Sequence, residues 1–326
     1  MRKWVLPEAI DDVLPAEAAR LEALRRTLLD HFAERGYRLV RPPLIEHLDS
    51  LLTGSGRDLE LQTFKMADPM SGHLLGVRAD ITPQVARIDA HLLNEPGVTR
   101  LCYEGSVLRT VATGPGAARE VIQVGAELFG EPAITADCEV VALLVSSLHA
   151  AGVPHVHIDL GHVGVYRALA EGAGIAGNSD DSELFEALSI KDEPAVTALC
   201  SRMPKVWRDA FVALPHLYGP IGEVLGSART SLPDTPSISH ALDALAEVAR
   251  DAGPRVSGLH VDLADLHGYH YQNGVTFSAY TPGQASAIGN GGRYDGIGKT
   301  FGRARPATGF TLDLRQLAGV VAAESP

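Results

Sequence analysis

The segment from Arg119 to Phe129 alternates polar and apolar side chains, in a pattern that fits a binding strand. Because consecutive residues of a strand point to opposite faces, Arg119, Gln123 and Glu127 share one face. At about 3.3 Å per residue, Gln123 and Glu127 lie roughly 13 Å apart along the strand, which leaves room for a small zwitterion. The alternation equally fits an antiparallel sheet with one solvated face. Taken alone, this strand favours the solvated face.

A glycine-rich run near the C-terminus resembles a phosphate-binding loop in composition but not in spacing. The Walker pattern has four residues between its first glycine and Gly-Lys-Thr, whereas Gly292 and Gly298 enclose five. We therefore reject a P-loop. No G-x-G-x-x-G follows a predicted strand, so a dinucleotide-binding fold is unsupported as well. The glycines are better explained by a backbone that passes close to a ligand or a neighbouring strand.

Metal and nucleophile patterns are weak. His155, His157 and His162 lie close in sequence, but no H-E-x-x-H and no cysteine cluster accompanies them. Cys102 and Cys138 are far from each other and from the third cysteine, and an odd count fits a reducing cytoplasm. The sequence thus predicts a cytoplasmic protein with no metal site, no cofactor and no catalytic nucleophile.

The elements that must position these residues are both helices and strands. Leu21, Leu24, Leu28 and Phe32 form one apolar stripe and predict a helix over 15–35. Similar patterns predict helices over 82–93 and 133–151, a helical insertion over 178–251, and strands over 37–40, 101–109, 119–129, 156–160, 256–262, 274–280 and 309–314. Strands before and after a helical block, with hairpin-like connections, predict an α+β fold with an antiparallel sheet flanked by helices.

Composition excludes several classes of protein. The chain has 326 residues, of which 45% are hydrophobic, and a net charge of -12 from 40 acidic and 28 basic residues. Such a chain buries a large core without disulfides. The longest apolar stretch, 140–148, is far too short for a membrane span. The acidic balance argues against a domain that coats nucleic acid, since that binding neutralises phosphates with basic residues.

Taken in order, several segments resemble the catalytic core of class II aminoacyl-tRNA synthetases, specifically that of histidyl-tRNA synthetases. Residues 41–46 resemble motif 1, the dimer interface of that family, and residues 77–82 its Arg-Pro-Glu-Gly-Thr stretch. Residues 100–130 resemble motif 2, and Gly291-Gly292-Arg293-Tyr294-Asp295 resembles a loop distinctive of the family. The resemblance covers nearly the whole chain outside the helical insertion.

The resemblance implies a histidine-binding site with defined roles. Asp80 and Thr82 match the residues that hold the amino group, Gln123 and Glu127 match ligand-holding positions, and Tyr294 matches the tyrosine on the imidazole. Tyr271 and Arg109 complete the predicted set, with Arg109 beside the carboxylate at the place of the arginine on the ATP α-phosphate. The residues leave alternatives open: Arg109 as part of a structural ion pair within the hairpin, Tyr271 as a core residue, and Tyr269 in place of Tyr271.

Departures from the family pattern concern the ATP side of the site. Val111 and Ala117 replace a glutamate and an arginine of motif 2, and His267 replaces the arginine that stabilises charge during adenylation. At the end of motif 3, where the family has Gly-Leu-Glu-Arg-Leu, Gln316 replaces the arginine on the γ-phosphate. Because activation depends on stabilising charge at phosphate, such a pocket is expected to bind histidine and to adenylate it poorly or not at all. Only nine residues follow Leu317, so we expect no anticodon-binding domain.

This combination resembles the regulatory subunits of ATP phosphoribosyltransferase. The resemblance implies one interrupted domain over 1–326 that performs no catalysis and binds no tRNA. It implies a short catalytic subunit as the partner, in a hetero-octamer built on synthetase-like dimers. It also implies that the chain mediates feedback by histidine in histidine biosynthesis. One alternative is a divergent synthetase-like enzyme that still activates an amino acid, with Arg315 or Arg119 supplying a cation. A second is a tRNA-binding or kinase-associated module, against which the acidic charge and the missing anticodon domain weigh.

Overall fold

The computed structural model describes residues 4–53, 57–112, 117–266, 268 and 271–324. The helices are α1 Pro15–Glu34, α2 Leu48–Leu52, α3 Arg57–Gln62, α4 Thr82–Arg87, α5 Thr135–Ala150, α6 Val163–Ala173, α7 Ser179–Ser189, α8 Glu193–Leu199, α9 Lys205–Ala213, α10 Ile221–Ser231, α11 Pro236–Ala252 and α12 Leu314–Glu324. The strands are β1 Arg38–Val40, β2 Ile45–His47, β3 Phe64–Ala67, β4 Leu74–Val77, β5 Thr99–Leu108, β6 Glu120–Phe129, β7 His157–His162, β8 Tyr218–Pro220, β9 Gly258–Asp262, β10 Val275–Tyr280, β11 Gly289–Arg293 and β12 Ala307–Asp313.

Two compact units share these elements. The first comprises residues 1–131, 146–154 and 295–326, and the second comprises 132–145 and 155–294. Within the described ranges, no helix is both long and apolar enough to cross a membrane.

The first unit is built on a sheet with the strand order β1-β5-β6-β12. Strand β6 is antiparallel to both β5 and β12, while β1 runs parallel to β5. The predicted stripe of α1 is buried, and its Phe32 meets Phe310 of β12 edge to face at 5.9 Å. One face of the sheet is therefore covered by α1, and the opposite face carries the candidate site.

A smaller antiparallel sheet in the first unit, with the order β2-β4-β3, was not predicted from the sequence. Its strands have only three or four residues, too few for alternation to stand out. A Cβ at Gly76 would lie 2.7 Å from the Leu51 side chain, so one face of this sheet packs closely on α2. Leu44 and Ile45 at its edge remain about half exposed.

The second unit contains a sheet with the order β11-β10-β7-β9-β8. Strand β7 runs parallel to β9, and residues 178–251 lie in the connection between them. Parallel strands need such a crossover connection, which explains why the sheet is not wholly antiparallel. The first part of the glycine-rich run forms β11, where a Cβ at Gly292 would lie 2.7 Å from the carbonyl of Val275 in β10. Close approach to a neighbouring strand, one of the two roles predicted for these glycines, is confirmed at Gly292.

The helix predicted over 82–93 changes character halfway. It is α-helical over α4 and π-helical from Ile88 to Leu93, and it ends at Asn94 with a positive φ of 46°. Asp89 in the π-helical part forms a buried ion pair with Arg305, with Nη1 and Oδ1 2.7 Å apart. A wider π turn thus coincides with a tertiary ion pair that apolar periodicity does not reveal.

Candidate functional site

The polar residues of β6 lie in rows with residues of β5 and β12. Gln123 sits between Gly105 and Asp313, Gly125 between Tyr103 and Thr311, and Glu127 between Leu101 and Gly309. Each row therefore contains one glycine. A glycine leaves open the space that a Cβ would fill above the sheet.

Polar groups of neighbouring residues fill the space above these glycines. A Cβ at Gly309 would lie 1.6 Å from Glu127 Oε2, and one at Gly125 would lie 2.4 Å from the Tyr103 hydroxyl. Each position is thus restricted to glycine while the neighbouring polar group stays in place. Neither glycine was among the predicted site residues, although a glycine inside a predicted strand indicates a close approach.

The carboxylate of Glu127 is held by two hydroxyl groups. Thr82 Oγ1 donates to Glu127 Oε1 at 2.9 Å, and the Tyr103 hydroxyl donates to the same oxygen at 3.2 Å. Burial raises the pKa of Tyr103 well above its ordinary value, and the negative charges of Glu127 and Asp80 act in the same direction. Tyr103 therefore remains a protonated donor at neutral pH. Tyr103 was not among the predicted site residues, because only its position opposite Gly125 in the sheet indicates its role.

Gln123 and Asp80 converge on one backbone group. Ile81 N donates to Gln123 Oε1 at 3.0 Å and to Asp80 Oδ1 at 2.8 Å. In the part of the chain that the structure describes, neither Gln123 Nε2 nor Asp80 Oδ2 has a hydrogen-bond partner. A donor and an acceptor are thus available side by side, as a zwitterionic ligand requires.

The expectation that this face of β6 is solvated was wrong. Gln123 is 3% exposed and Glu127 1% exposed. Segment 78–82 covers the face, since its Ile81 and Thr82 bond to Gln123 and Glu127. These contacts join residues more than 40 positions apart, which alternation within one strand cannot reveal.

Arg78 anchors this covering segment. Its Nε donates to the carbonyl of Ser106 at 2.8 Å and its Nη1 to the carbonyl of Pro42 at 2.9 Å. A Cβ at Gly105 would lie 2.2 Å from Arg78 Nη2, so the guanidinium lies directly above that glycine. Burial lowers the pKa of Arg78 below its ordinary value. Arg78 belongs to the motif-like segment 77–82, but no role was predicted for it.

Arg109 lies beyond the last residue of β5. Its Nε is 3.5 Å from the Ala79 carbonyl, and its backbone N–H donates to the carbonyl of Arg119. Among the described residues, no carboxylate lies within 4.0 Å of its guanidinium, so a structural ion pair within the hairpin is wrong. Contact between Arg109 and a ligand stays a prediction.

The two tyrosines predicted for the imidazole belong to the second unit. Tyr271 and Tyr294 stack on each other, with ring centroids 4.9 Å apart and planes 23° apart. Tyr294 is buried and Tyr271 is partly exposed. His267 and Tyr269 lie outside the described residues. The roles of these aromatic residues stay predictions.

A buried ion pair orders the end of the same aromatic segment. Arg293, which precedes Tyr294, bonds Asp137 at 2.6 and 2.9 Å and donates to the carbonyl of Ala133 at 3.1 Å. Asp137 is fully buried. Arg293 of the family-like loop therefore has a structural role.

The two cations named as replacements for the family's ATP-binding arginines have other partners. Arg119 lies 5.0 Å from the ring centre of Phe64 and donates to the Arg109 carbonyl at 3.1 Å. Arg315 forms an ion pair with Glu17 of α1 at 3.4 Å. Among the described residues, His, Cys, Asp and Glu side chains form no group of three that is suited to a metal.

Comparisons with known proteins agree with this geometry. The family model described as histidyl-tRNA synthetase matches residues 9–317. Two curated proteins named ATP phosphoribosyltransferase regulatory subunit are similar to this chain over nearly its whole length. The one from Thiobacillus denitrificans is 56% identical, with an alignment that covers 97% of this chain and 98% of the relative. The one from Ralstonia nicotianae is 54% identical, with an alignment that covers 98% of this chain and 82% of the relative. A crystal structure from Bacillus halodurans, described as an ATP phosphoribosyltransferase regulatory subunit/histidyl-tRNA synthetase, superposes with a TM-score of 0.86 at 25% identity, covering 98% of this chain and 84% of that one.

A histidyl-tRNA synthetase from Nostoc shares the fold, with a TM-score of 0.80 at 16% identity over 99% of this chain and 77% of that one. The predicted α+β fold of the class II synthetase type is thereby confirmed. The chain belongs to the histidyl-tRNA synthetase family and, within it, to the regulatory subunits of ATP phosphoribosyltransferase.

Proposed function

We propose that this chain binds a short catalytic subunit of ATP phosphoribosyltransferase, raises its activity and conveys inhibition by histidine. The observation that carries the histidine part is the buried carboxylate of Glu127, held by the hydroxyls of Thr82 and Tyr103 beside the available groups of Gln123 and Asp80. The similarity over nearly the whole chain to proteins named ATP phosphoribosyltransferase regulatory subunit supports the part of the proposal that concerns the catalytic subunit.

An α-amino acid fits the chemistry of this site. Its ammonium group can donate to Glu127 and to Asp80 Oδ2, and such charge-assisted hydrogen bonds are roughly twice as strong as neutral ones. Gln123 Nε2 supplies a donor for an acceptor of the ligand, and Arg109 supplies a cation for its carboxylate. The site thus offers each charge of a zwitterion an opposite charge.

The same site is poorly equipped to adenylate that amino acid. Stabilisation of developing phosphate charge is worth about 10²–10³ in rate for each group. Gln316 is neutral, and both Arg119 and Arg315 are tied to aromatic or acidic neighbours. A non-catalytic role therefore fits better than the alternative of an amino-acid-activating enzyme.

Segment 41–46 is suited to self-association. Leu44 and Ile45 are half exposed, while Glu46 behind them is fixed by Gln84 and Arg87 at 2.8 and 2.5 Å. A rigid edge with exposed apolar side chains fits the dimer interface that the family resemblance predicts. We propose that homodimers formed there carry the catalytic subunits of a hetero-octamer.

Reconstitution with a short catalytic subunit tests the proposal. We expect the purified chain to raise the rate of phosphoribosyl-ATP formation and histidine to reverse that increase. We expect Glu127→Gln to preserve activation but to need far more histidine for inhibition. Absence of activation would contradict the regulatory role. Histidine-dependent exchange of pyrophosphate into ATP by the chain alone would instead support the synthetase-like enzyme.

A further inference from the structure

Asp313 ends β12 within the candidate site. It lies opposite Gln123 on the face that carries Glu127, and its Oδ1 accepts hydrogen bonds from the backbone N–H groups of Arg315 at 2.9 Å and Gln316 at 3.3 Å. These are among the first N–H groups of α12, a helix of eleven residues. The chain's own carboxylate therefore occupies the position where the helix dipole would favour an anion.

Burial and nearby positive charges act in opposite directions on the carboxyl group of Asp313. Burial raises the pKa of Asp313, whereas the two N–H groups and the nearby charges of Arg109 and Arg315 act in the opposite direction. Arg315 is already paired with Glu17. Arg109 has no carboxylate within ion-pair distance among the described residues, and its positive charge acts on Asp313 at this end of the site.

We propose that Asp313 determines ligand specificity, in that its carboxylate excludes phosphate-bearing ligands from the Arg109 end of the site while an amino acid is still admitted. The inference rests on the proposed binding of histidine to the same face. An amino acid brings a single carboxylate, matched by its own ammonium group between Glu127 and Asp80. A nucleotide brings several uncompensated negative charges, and placing like charges together in a partly buried site is costly.

Asp313→Asn in the full chain, titrated with magnesium ATP by calorimetry, tests this inference. Asparagine keeps an oxygen for the N–H groups of α12 and removes only the charge. We expect the variant to bind ATP at least about tenfold more tightly than the original chain, the scale of one like charge removed at close range. The matched control is Asp30→Asn, which removes the same charge from an exposed position of α1 on the other side of the sheet, and its ATP affinity should not rise.

Equal ATP affinities of Asp313→Asn and the original chain would overturn the inference. An equal gain in Asp30→Asn would also overturn it, because the effect would then come from net charge. Asp313→Ser, which also caps a helix, provides a second variant should the first one fold poorly. A separate histidine titration of the original chain tests the proposed function, so failure there is distinguishable from failure of the Asp313 inference.

Discussion

Replacing Glu127 by glutamine changes one charge in the candidate histidine site and almost nothing else. The two side chains have the same shape, and a glutamine Oε1 still accepts hydrogen bonds from Thr82 and Tyr103. The glutamine Nε2 then stands where Oε2 now lies above Gly309. A ligand ammonium that met a carboxylate oxygen would face an N–H donor instead.

The expected loss of affinity follows from burial and charge. A hydrogen bond to a charged group is worth about 1.5–3 kcal/mol, and Glu127 is only 1% exposed, so water does not replace the lost partner. At 1.4 kcal/mol per factor of ten, histidine should bind about 10- to 150-fold more weakly. The stability of the fold should change little, because both hydroxyl contacts persist.

Calorimetric titration with histidine measures this change directly. Glu120→Gln is the matched control, since Glu120 lies on the same strand and points to the opposite face. We expect the control to bind histidine like the unmodified chain. If Glu127→Gln also binds histidine with unchanged affinity, Glu127 is not in the ligand site and the assignment of this face is refuted.

Three further variants test the packing and charges around the site and in the second unit. Gly309→Ala should weaken histidine binding at least about tenfold. A Cβ there would lie 1.6 Å from Glu127 Oε2, so the carboxylate must move out of the position in which it meets the ligand. Asp137→Ala should lower the free energy of unfolding by about 3–5 kcal/mol in urea titrations, since it removes the carboxylate that pairs with the buried Arg293. His162→Asn should remove part of the acid sensitivity of the second unit, because burial, chiefly, lowers the pKa of His162 to about 4.

The pH dependence of His162 has a defined sign. The folded chain keeps the imidazole neutral, with Nδ1 accepting from Gly164 N at 3.0 Å, whereas the unfolded chain protonates it near its ordinary pKa of about 6.5. Its contribution to stability is therefore complete above that pH and is lost as the pH falls towards 4, by about 2–3 kcal/mol. Asparagine offers an oxygen to Gly164 N without titrating, so an identical pH profile of the two chains would contradict this assignment.

Controls separate these effects from general damage. Asp209→Ala breaks an exposed pair with Lys205 one helical turn away, and such pairs contribute at most about 0.5 kcal/mol. A loss in Asp137→Ala no larger than in Asp209→Ala would contradict the role of the buried pair. For Gly309→Ala, unaltered histidine affinity would show that Glu127 has room to move.

The sequence predicts the elements whose periodicity is strong. The apolar stripe of α1 placed that helix within one residue of its observed end, and the alternation in 119–129 placed β6. The short strands β2, β3 and β4 were missed because three or four residues show no alternation. The elements that were predicted correctly have long periodic patterns, and those that were missed are too short to show one.

The site was predictable as a set of residues but not as an arrangement. The resemblance to synthetases named Thr82, Gln123 and Glu127, which the structure brings together on one face and beneath one segment. Alternation placed Gln123 and Glu127 on that face correctly but suggested solvent above it. Whether a polar strand face meets water or a covering segment depends on tertiary contacts that no local pattern contains.

Feedback by histidine requires that the ligand bind two states of the assembly with different affinities. Segment 78–82 takes part both in the contacts of the candidate site and in a contact with segment 41–46. Ile81 and Thr82 bond to Gln123 and Glu127 in the site, and Arg78 bonds to the carbonyl of Pro42 at the start of the half-exposed edge. A ligand that changes the position of this segment therefore acts on both sets of hydrogen bonds at once. We propose that these bonds link histidine affinity to the geometry of segment 41–46, as a physical route for feedback from the candidate site to the predicted dimer interface.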